Sequence, residues 1–323
     1  MKKIEDLLKD AGIEGCHALD YCPVKLRGKN RVHVLALGDV GVTVLIGLRL
    51  LGADVISTIG ICDIYEPNMV RCEQELNQIN YPFGMQQLPQ VQTVREEELF
   101  DCDVLVFCAS KGVPPIGAEG DVRMAQLSAN GELIAHYGRL ARESDFGGLT
   151  AVVSDPVDPL CREFLHCAKL RPSQVQGYGL GVMNARALYF AGKEERFRRY
   201  AAEGRAFGPH GGDLVIADSI DAYDDQLSRE LTALAVDANL RVRELGFKPY
   251  IAPALSSAAI SILLTLRGEW HYSSLYLGNE KEGAFLGMKN RMTEDGPEYE
   301  DISLCEELYG RISRAYGNLC RIK

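Results

Sequence analysis

Residues 31–63 constrain the fold of this chain more than any other stretch. Residues 32–37 form a short apolar run rich in β-branched side chains, as in a buried parallel strand. A helical pattern follows as far as Leu51, and Gly52 then stands at the position where helices often end in a left-handed residue. A second β-rich run covers residues 55–62. The order strand, turn, helix, strand predicts a βαβ unit and hence a parallel sheet.

The turn within this unit predicts a dinucleotide site. Gly38 and Gly41 open the helix, and backbone N–H groups at a helix start can face a pyrophosphate. Asp63 stands at the end of the second strand, where a carboxylate can accept hydrogen bonds from ribose hydroxyls. We therefore predict cofactor contacts from Gly38, Asp39, Val40, Gly41 and Asp63.

Two residues depart from the usual G-x-G-x-x-G pattern of such turns. Ala36 replaces the first glycine, so the turn must be made without a positive φ or with some strain. Asp39 puts a carboxylate close to the expected pyrophosphate, which is electrostatically unfavourable. An ordinary α/β turn is therefore the alternative interpretation. The flanking strand and helix, with Asp63 in position, favour the dinucleotide site.

Length and charge narrow the classes of partner. A chain of 323 residues is long enough to bury a large core in two lobes. Its net charge of −10 and pI of about 5.2 argue against a nucleic-acid partner or an anionic membrane surface. The longest apolar run, residues 252–266, is too short to span a bilayer. Because the N-terminus lacks an apolar signal core, the 10 cysteines indicate free thiols, and we predict a cytoplasmic protein.

Two clusters of cysteine and histidine raise the question of a metal site. One comprises Cys16, His17 and Cys22, and the other lies within residues 161–167. Neither has four ligands at zinc-finger spacing, so we predict no metal. Cys108 lies in apolar surroundings, as do the cysteines of the second cluster, and this favours packing in the core.

The rest of the first half continues the alternation of strand and helix. Buried strands are predicted at 103–110 and 149–155, and helices at 66–79 and 123–142. This alternation predicts the α/β class with a doubly wound parallel sheet. Residues 111–121, rich in Gly and Pro, are predicted to form a mobile loop. The second half is predicted to contain helices at 183–193, 225–245, 253–266 and 304–319 and strands within 270–287.

A series of motifs between residues 31 and 320 resembles the lactate/malate dehydrogenase family. In chain order they are ALGDVG, CDIYEP, CDVLVFCAS, RMAQLSAN, VVSDPVD, GLGVMNARALYF and GPHGGD. The resemblance implies a Rossmann domain followed by a mixed α/β substrate domain. It also implies hydride transfer between the nicotinamide of NAD and a 2-hydroxy or 2-oxo acid, in a homo-oligomer, either a dimer or a tetramer.

The resemblance also implies roles for individual residues. His210 of GPHGGD matches the base, because an imidazole titrates in the range that proton transfer requires. Arg186 matches the guanidinium that binds the substrate carboxylate through a planar fork. Arg123 matches the cation that arrives with loop closure and polarises the carbonyl oxygen. The resemblance also implies that Asn130 contacts the substrate and that Ala109 contacts the cofactor.

Each of the three ionisable residues has a simpler interpretation. His210 can be a loop histidine without a role, Arg186 an ordinary surface arginine, and Arg123 an ordinary arginine of a first helical turn. The order of the motifs favours the catalytic interpretation.

Departures from the family pattern affect the same site. The aspartate that orients the histidine in the family is expected three residues before Arg186, and Met183 stands there with Asn184 beside it. The asparagine before Pro-Val-Asp is Asp155 here. The loop at 111–121 contains no arginine. In the family, an arginine in this loop marks selectivity for a second carboxylate. These departures predict a divergent member with altered substrate selectivity.

We therefore predict an N-terminal helix and arm at 1–30, an NAD-binding Rossmann domain at 31–179 and a substrate domain at 180–323. NAD is expected to be preferred to NADP, because Asp63 would repel a 2′-phosphate. The predicted function is NAD-dependent oxidation of a 2-hydroxy acid. The alternative is a homologue that binds NAD or an acid without turnover, as a sensor, scaffold or partner subunit.

Asp155 is the carboxylate that the family layout places near His210. We hypothesise that it supplies the negative charge that Met183 cannot, from the substrate side of the imidazole. Such a carboxylate would also repel a second acid group and favour polar or cationic substrate side chains.

Overall fold

A computed structural model describes residues 1–14, 24, 26, 28–111 and 122–322, with the side chains of residues 122–126 outside the description. The strands are β1 Asn30–Leu35, β2 Ile56–Cys62, β3 Gln90–Thr93, β4 Val104–Phe107, β5 Leu149–Val152, β6 Val175–Gly177, β7 Arg205–Phe207, β8 Val215–Ala217, β9 His271–Gly278, β10 Gly283–Thr293 and β11 Gly296–Tyr299. The helices are α1 Asp6–Asp10, α2 Asp39–Leu51, α3 Glu66–Asn77, α4 Val122–Glu143, α5 Val157–Ala168, α6 Leu180–Ala191, α7 Tyr200–Glu203, α8 Asp225–Glu244, α9 Ile260–Arg267 and α10 Glu306–Arg321. A π-helical segment, Pro253–Ala259, leads into α9.

One large sheet organises the molecule. Its nine strands follow the order β11-β10-β9-β6-β5-β4-β1-β2-β3. Strands β1 to β6 are parallel, and β9 to β11 extend the same sheet as antiparallel strands, beginning where Ser274 pairs with Gly177. The predicted α/β class with a doubly wound parallel sheet is confirmed. The predicted boundary between the two domains, at residue 179, separates β1–β6 from β9–β11, although all of these strands belong to the same sheet.

Two apolar cores cover the two faces of the sheet. On one face, α2, α3 and the helical region 253–267 pack against β1, β2 and β4. On the other face, α4 and α5 pack against the same part of the sheet through side chains such as Tyr137 and Phe164. Because both faces are covered, the central parallel strands β4 and β5 are almost fully apolar and fully buried, as the sequence predicts.

The second half of the chain adds two smaller cores. Helices α1 and α10 pack together against β7, β8 and β10, and α6 packs against α8. The N-terminal segment is held by a backbone bridge between Lys2 and Leu304. In the described part of the chain, none of the helices has the length and apolar character needed to cross a bilayer.

The structure corrects the prediction made for Gly52. Its φ is −106°, so α2 does not end in a left-handed residue there. Glycine is nevertheless needed, because a Cβ would lie 2.5 Å from the carbonyl oxygen of Leu48 and 2.7 Å from a methyl group of Ile56. Close approach of the chain, and not backbone conformation, therefore accounts for this glycine.

Candidate active site

Residues that follow the parallel strands meet at one edge of the sheet, where open α/β sheets bind ligands. Asn130 of α4, fully buried, connects two of these segments. Its amide donates to the carbonyl oxygen of Asp155 over 2.8 Å, and its side-chain oxygen accepts from the Lys111 backbone N–H over 2.9 Å. Ser154 donates to the carbonyl oxygen of Ala109 over 2.7 Å. Asn130 therefore holds the start of the predicted loop against the segment that carries Asp155.

His210 lies in the loop between β7 and β8 and faces Asp155. Its Nδ1 is 3.3 Å from Oδ1 of Asp155, and the two side chains are 22% and 52% exposed. His210 approaches Gly179 closely, because a Cβ on Gly179 would lie 3.1 Å from the His210 Cβ. The loop bends at Gly208, whose φ is +88°. The structure places Asp155 beside His210, and the catalytic role of the pair stays a prediction.

Arg186 projects from α6 towards α8. Its Nη1 donates to the carbonyl oxygen of Ala235 over 3.1 Å and contacts the sulfur of Met183 at 3.4 Å. Burial lowers the pKa of Arg186, and the negative charge of Asp155 acts in the opposite direction. The guanidinium is thus half-buried, and the charge of Asp155 reaches both it and His210.

The residues that replace the family's aspartate do not bring a charge to the imidazole. Met183 is 1% exposed and belongs to the apolar core between α6 and α8. The side-chain oxygen of Asn184 accepts from the hydroxyl of Tyr200 over 2.8 Å.

Asp158 is a further acid at this site, and its role was not predicted from the sequence. It is 3% exposed, and its Oδ1 has no hydrogen-bond partner among the described residues. Burial raises the pKa of Asp158 to about 7; a hydrogen bond from Ser274 and the charge of His210 act against this shift, and the charge of Asp155 adds to it. The second acid of VVSDPVD was the available signal, but sequence alone does not show that it is buried.

The predicted cofactor turn has a geometry that fits a dinucleotide. Ala36 has a φ of +72°, so it takes the left-handed conformation of the glycine it replaces, with the strain that this implies. A Cβ on Gly41 would lie 1.9 Å from the carbonyl oxygen of Ala36, so only glycine permits this packing of helix on turn. Gly38 is the N-cap of α2 and offers no side chain to its first N–H groups, and Val40 lies in the first turn.

Asp63 stabilises the same turn. Its carboxylate accepts hydrogen bonds from the backbone N–H groups of Leu37 and Tyr65, and Asn68 donates to the carbonyl oxygen of Leu37. A carboxylate has about four lone-pair sites, so these two bonds leave acceptor capacity for a ribose hydroxyl.

The unfavourable charge of Asp39 has a counter-ion. The Nζ of Lys248, in the segment that follows α8, lies 3.0 Å from Oδ2 of Asp39. The side chains are 83% and 50% exposed. The start of α2, beside the turn, therefore carries a pair of opposite charges, Asp39 and Lys248.

Some predictions fall outside the described residues. Arg123 lies in the first turn of α4, but its side chain is not described, and neither are residues 112–121 of the predicted loop or Cys16, His17 and Cys22. Among the residues that are described, no group of three or more potential ligands could hold a metal ion.

Known proteins resemble this chain in sequence and in fold. No family model matches it. It is 25% identical over 119 residues to the L-lactate dehydrogenase of Mycoplasma capricolum subsp. capricolum, a match that covers 37% of this chain and 36% of that protein. It is 24% identical over 191 residues to the L-lactate dehydrogenase of Mycoplasma mobile, covering 57% and 56%. The matches therefore span between a third and three fifths of these relatives.

Solved structures match over most of the length. The minor L-lactate dehydrogenase from Enterococcus mundtii superposes with a TM-score of 0.73 at 18% identity, covering 92% of this chain and all of that one. The malate dehydrogenase from Picrophilus torridus gives a TM-score of 0.73 at 16% identity, covering 90% and 95%. At these identities the likeness concerns the fold.

Fold and site together define a Rossmann-type α/β protein with a histidine–aspartate pair at the ligand-binding edge of its sheet. The sequence relatives are distant lactate dehydrogenases and the structural neighbours share the fold, so the chain resembles the lactate/malate dehydrogenase family to which the motifs point.

Proposed function

We propose that this protein is an NAD-dependent oxidoreductase that transfers a hydride between nicotinamide and a 2-hydroxy or 2-oxo acid. The observation that carries the proposal is the 3.3 Å approach of Asp155 to His210 at the sheet edge that follows the dinucleotide-type turn. Bound NAD supplies the hydride acceptor. The protein supplies the proton acceptor and the groups that orient the acid.

Each predicted residue has a role in this proposal. His210 takes the hydroxyl proton in oxidation and returns it in reduction, and Asp155 stabilises the protonated imidazole. Arg186 binds the substrate carboxylate, and Arg123 polarises the substrate oxygen. Asn130 positions the substrate through the segments it connects. The residues assigned to the cofactor are Gly38, Asp39, Val40, Gly41, Asp63 and Ala109.

The same layout suggests which acids are turned over. Asp155 is half-exposed on the open side of His210, so its carboxylate would repel a second acid group. We therefore propose a monocarboxylic 2-oxo acid with a polar or cationic side chain. NAD is preferred to NADP, because Asp63 accepts a 2′-hydroxyl and repels a 2′-phosphate.

Domain roles and assembly complete the proposal. Residues 31–179 bind NAD, residues 180–323 complete the substrate site, and residues 1–30 form an arm. We propose a cytoplasmic homo-oligomer, either a dimer or a tetramer. Light scattering of the purified protein measures its size, and a monomer at all concentrations would contradict this part.

A panel of 2-oxo acids with NADH and NADPH tests the function. We expect NADH to be oxidised in the presence of at least one monocarboxylic member, more slowly with dicarboxylic members, and in preference to NADPH. His210→Asn is the control and is expected to remove turnover while keeping NADH binding. Binding of NADH without turnover of any member would indicate a binding protein instead, and equal or tighter binding of NADPH would overturn the cofactor assignment.

A further inference from the structure

A cavity lies between α4, α5, β10 and the C-terminal end of α10. Its volume is about 450 Å³, which is within the range of cavities that hold small ligands. The lining residues that the structure describes do not include His210, Arg186 or Asp155, so this cavity is distinct from the candidate active site. Ser128 and His166 line it and are exposed, so the cavity is open to solvent on their side.

One face of α5 brings charges of both signs to this cavity. Asp158, Arg162 and His166 recur every four residues, so they lie on the same face of the helix. The Nη1 of Arg162 donates to the carbonyl oxygen of Ile322 over 2.8 Å. A guanidinium has five N–H donors, so this bond leaves donors for an anionic group in the cavity.

Asp158 is the acid of this cavity that lacks a donor. It is 3% exposed, and its Oδ1 has no hydrogen-bond partner among the residues that the structure describes. The other acid, Glu163, accepts a hydrogen bond from the Cys167 thiol over 3.2 Å. Burial raises the pKa of Asp158 to about 7, although a hydrogen bond from Ser274 acts in the opposite direction. An ammonium group beside the unpartnered oxygen would offset the cost of keeping this carboxylate ionised.

Gly131 leaves the cavity open on the α4 side. It lies in the interior of α4, where glycine is less favourable than alanine. Gly131 lines the cavity, and a Cβ on it would meet none of the described atoms within 4 Å. On Gly138 of the same helix, by contrast, a Cβ would lie 2.9 Å from the Cβ of Cys167, so that glycine permits α4 to pack on α5. Close packing therefore accounts for Gly138 but not for Gly131.

The other elements give the cavity apolar walls. Leu127 of α4, Phe285 of β10 and Leu319 of α10 line it, and the last two are buried. We propose that the cavity binds an α-amino acid with an apolar side chain. The ammonium group bonds to Asp158, the carboxylate bonds to Arg162, and the side chain packs against the apolar walls. This site is additional to the one in the proposed function and does not depend on turnover there.

Isothermal titration calorimetry of the purified protein with L-leucine tests this site. We expect one saturable site per chain. Isoamylamine lacks the carboxylate of leucine and isocaproate lacks the ammonium group, so each should bind more weakly, on the order of tenfold or more. Binding of either analogue as tight as that of leucine would overturn the proposed pairing of Asp158 and Arg162 with the two charged groups.

Two variants with a matched control place the ligand in the cavity. Asp158→Asn should weaken leucine binding on the order of tenfold, because the amide removes the charge that faces the ammonium group. Gly131→Leu should abolish binding by filling the cavity, and leucine is the better helix former, so this variant keeps the fold. Gly310→Leu is the control. A Cβ on Gly310 of α10 would also meet none of the described atoms within 4 Å, but Gly310 is not among the described lining residues, so leucine binding should be unchanged.

Leucine resembles a 2-oxo acid, so binding at the active site must be separated from binding in the cavity. Arg186→Met removes the guanidinium assigned to the substrate carboxylate and should leave leucine binding unchanged, provided that its circular dichroism matches that of the parent protein. The inference is overturned if leucine does not bind, if Gly131→Leu binds it like the parent protein, or if a folded Arg186→Met loses it. Leucine binding in the cavity of a protein that turns over no 2-oxo acid would instead reject the proposed function alone.

Discussion

The candidate site depends on where single carboxylates stand relative to one imidazole. In this chain a buried methionine, Met183, occupies the position from which the family pattern would orient the histidine, and Asp155, in the turn before α5, lies 3.3 Å from His210. Burial lowers the pKa of Arg186 and the charge of Asp155 opposes this shift, so Asp155 influences Arg186 as well as lying beside His210. Exchange of a single acid should therefore affect proton transfer and substrate binding together.

Replacement of Asp155 by asparagine should slow turnover. The amide keeps the shape but removes the charge 3.3 Å from His210, so the protonated imidazole is less stabilised. We expect kcat to fall on the order of tenfold, the equivalent of about 1.4 kcal/mol in the barrier, and the discrimination against dicarboxylic acids to weaken.

Steady-state kinetics with the best substrate of the panel measures this effect. Asp213→Asn is a suitable control, because Asp213 lies near His210 in the chain but accepts a hydrogen bond from Asn318. If Asp155→Asn leaves turnover unchanged or raises it, Asp155 is not the partner of His210.

His271 should make the protein less stable in acid. It is 4% exposed at the start of β9, its Nε2 lies 2.9 Å from the Thr265 hydroxyl, and burial lowers its pKa to about 4. The unfolded chain binds a proton near pH 6.5, whereas the folded protein does so only near pH 4, so stability is lost as pH falls between these values. The loss from this residue is about 3 kcal/mol.

Urea unfolding at pH 7 and pH 4 of the parent protein and His271→Gln measures this loss. The difference in unfolding free energy between the two proteins should shift in favour of the variant at pH 4. Because burial raises the pKa of Asp158, that residue contributes the opposite slope in both proteins, so only the comparison isolates His271. An equal loss of unfolding free energy in both proteins would contradict the lowered pKa of His271.

At the scale of structural elements, the turn between β1 and α2 keeps the shape of a dinucleotide turn without its first glycine. Ala36 takes a positive φ, and Gly41 permits α2 to approach it. The Asp39–Lys248 ion pair links the start of α2 to the segment that follows α8. The cofactor would therefore meet a lysine from the segment after α8 as well as the start of α2.

A double-mutant cycle on Asp39 and Lys248 should reveal this charge balance. Asp39→Asn should tighten NADH binding by removing a repelling charge, and Lys248→Met should weaken it. Exposed charge pairs contribute roughly 0.2–1 kcal/mol, so we expect changes of a few fold that shrink in high salt. Titration of NADH fluorescence gives the four dissociation constants.

The cycle has a control and a clear negative result. Lys193→Met replaces another lysine, one that stacks on Tyr189, and should leave NADH binding unchanged. If Lys248→Met has no effect in either background, Lys248 does not contribute to the cofactor site.

At the scale of the whole molecule, the sequence predicts the central sheet because its strands are apolar and alternate with helices. It does not predict β3, because Gln90 and Gln92 make this edge strand half polar. The short pair β7 and β8 is also missed, since three residues per strand give too little alternation to recognise. Local patterns thus predict long elements, while short edge strands depend on tertiary contacts.

The sequence predicts the site residues that belong to motifs. It does not predict which side chains are buried or which distant residues lie beside them. Motif order singled out His210, Arg186 and Asp155, and the structure places Asp155 3.3 Å from His210. No local pattern indicates that Asp158 is buried or that Lys248 lies beside Asp39, because both facts follow from packing between segments far apart in the chain.

The shared sheet has a consequence for synthesis on the ribosome. Strand β6 is bordered by β9, whose Ser274 pairs with Gly177, so its outer edge is uncovered until roughly 100 further residues have been added, on the order of 5 to 20 s of translation. During that interval a nascent chain exposes a row of unpaired backbone groups that can join another chain. Strand β6 has only three residues, so its open edge offers few backbone groups with which another strand could pair. The short edge therefore limits association between chains that are being translated from the same mRNA.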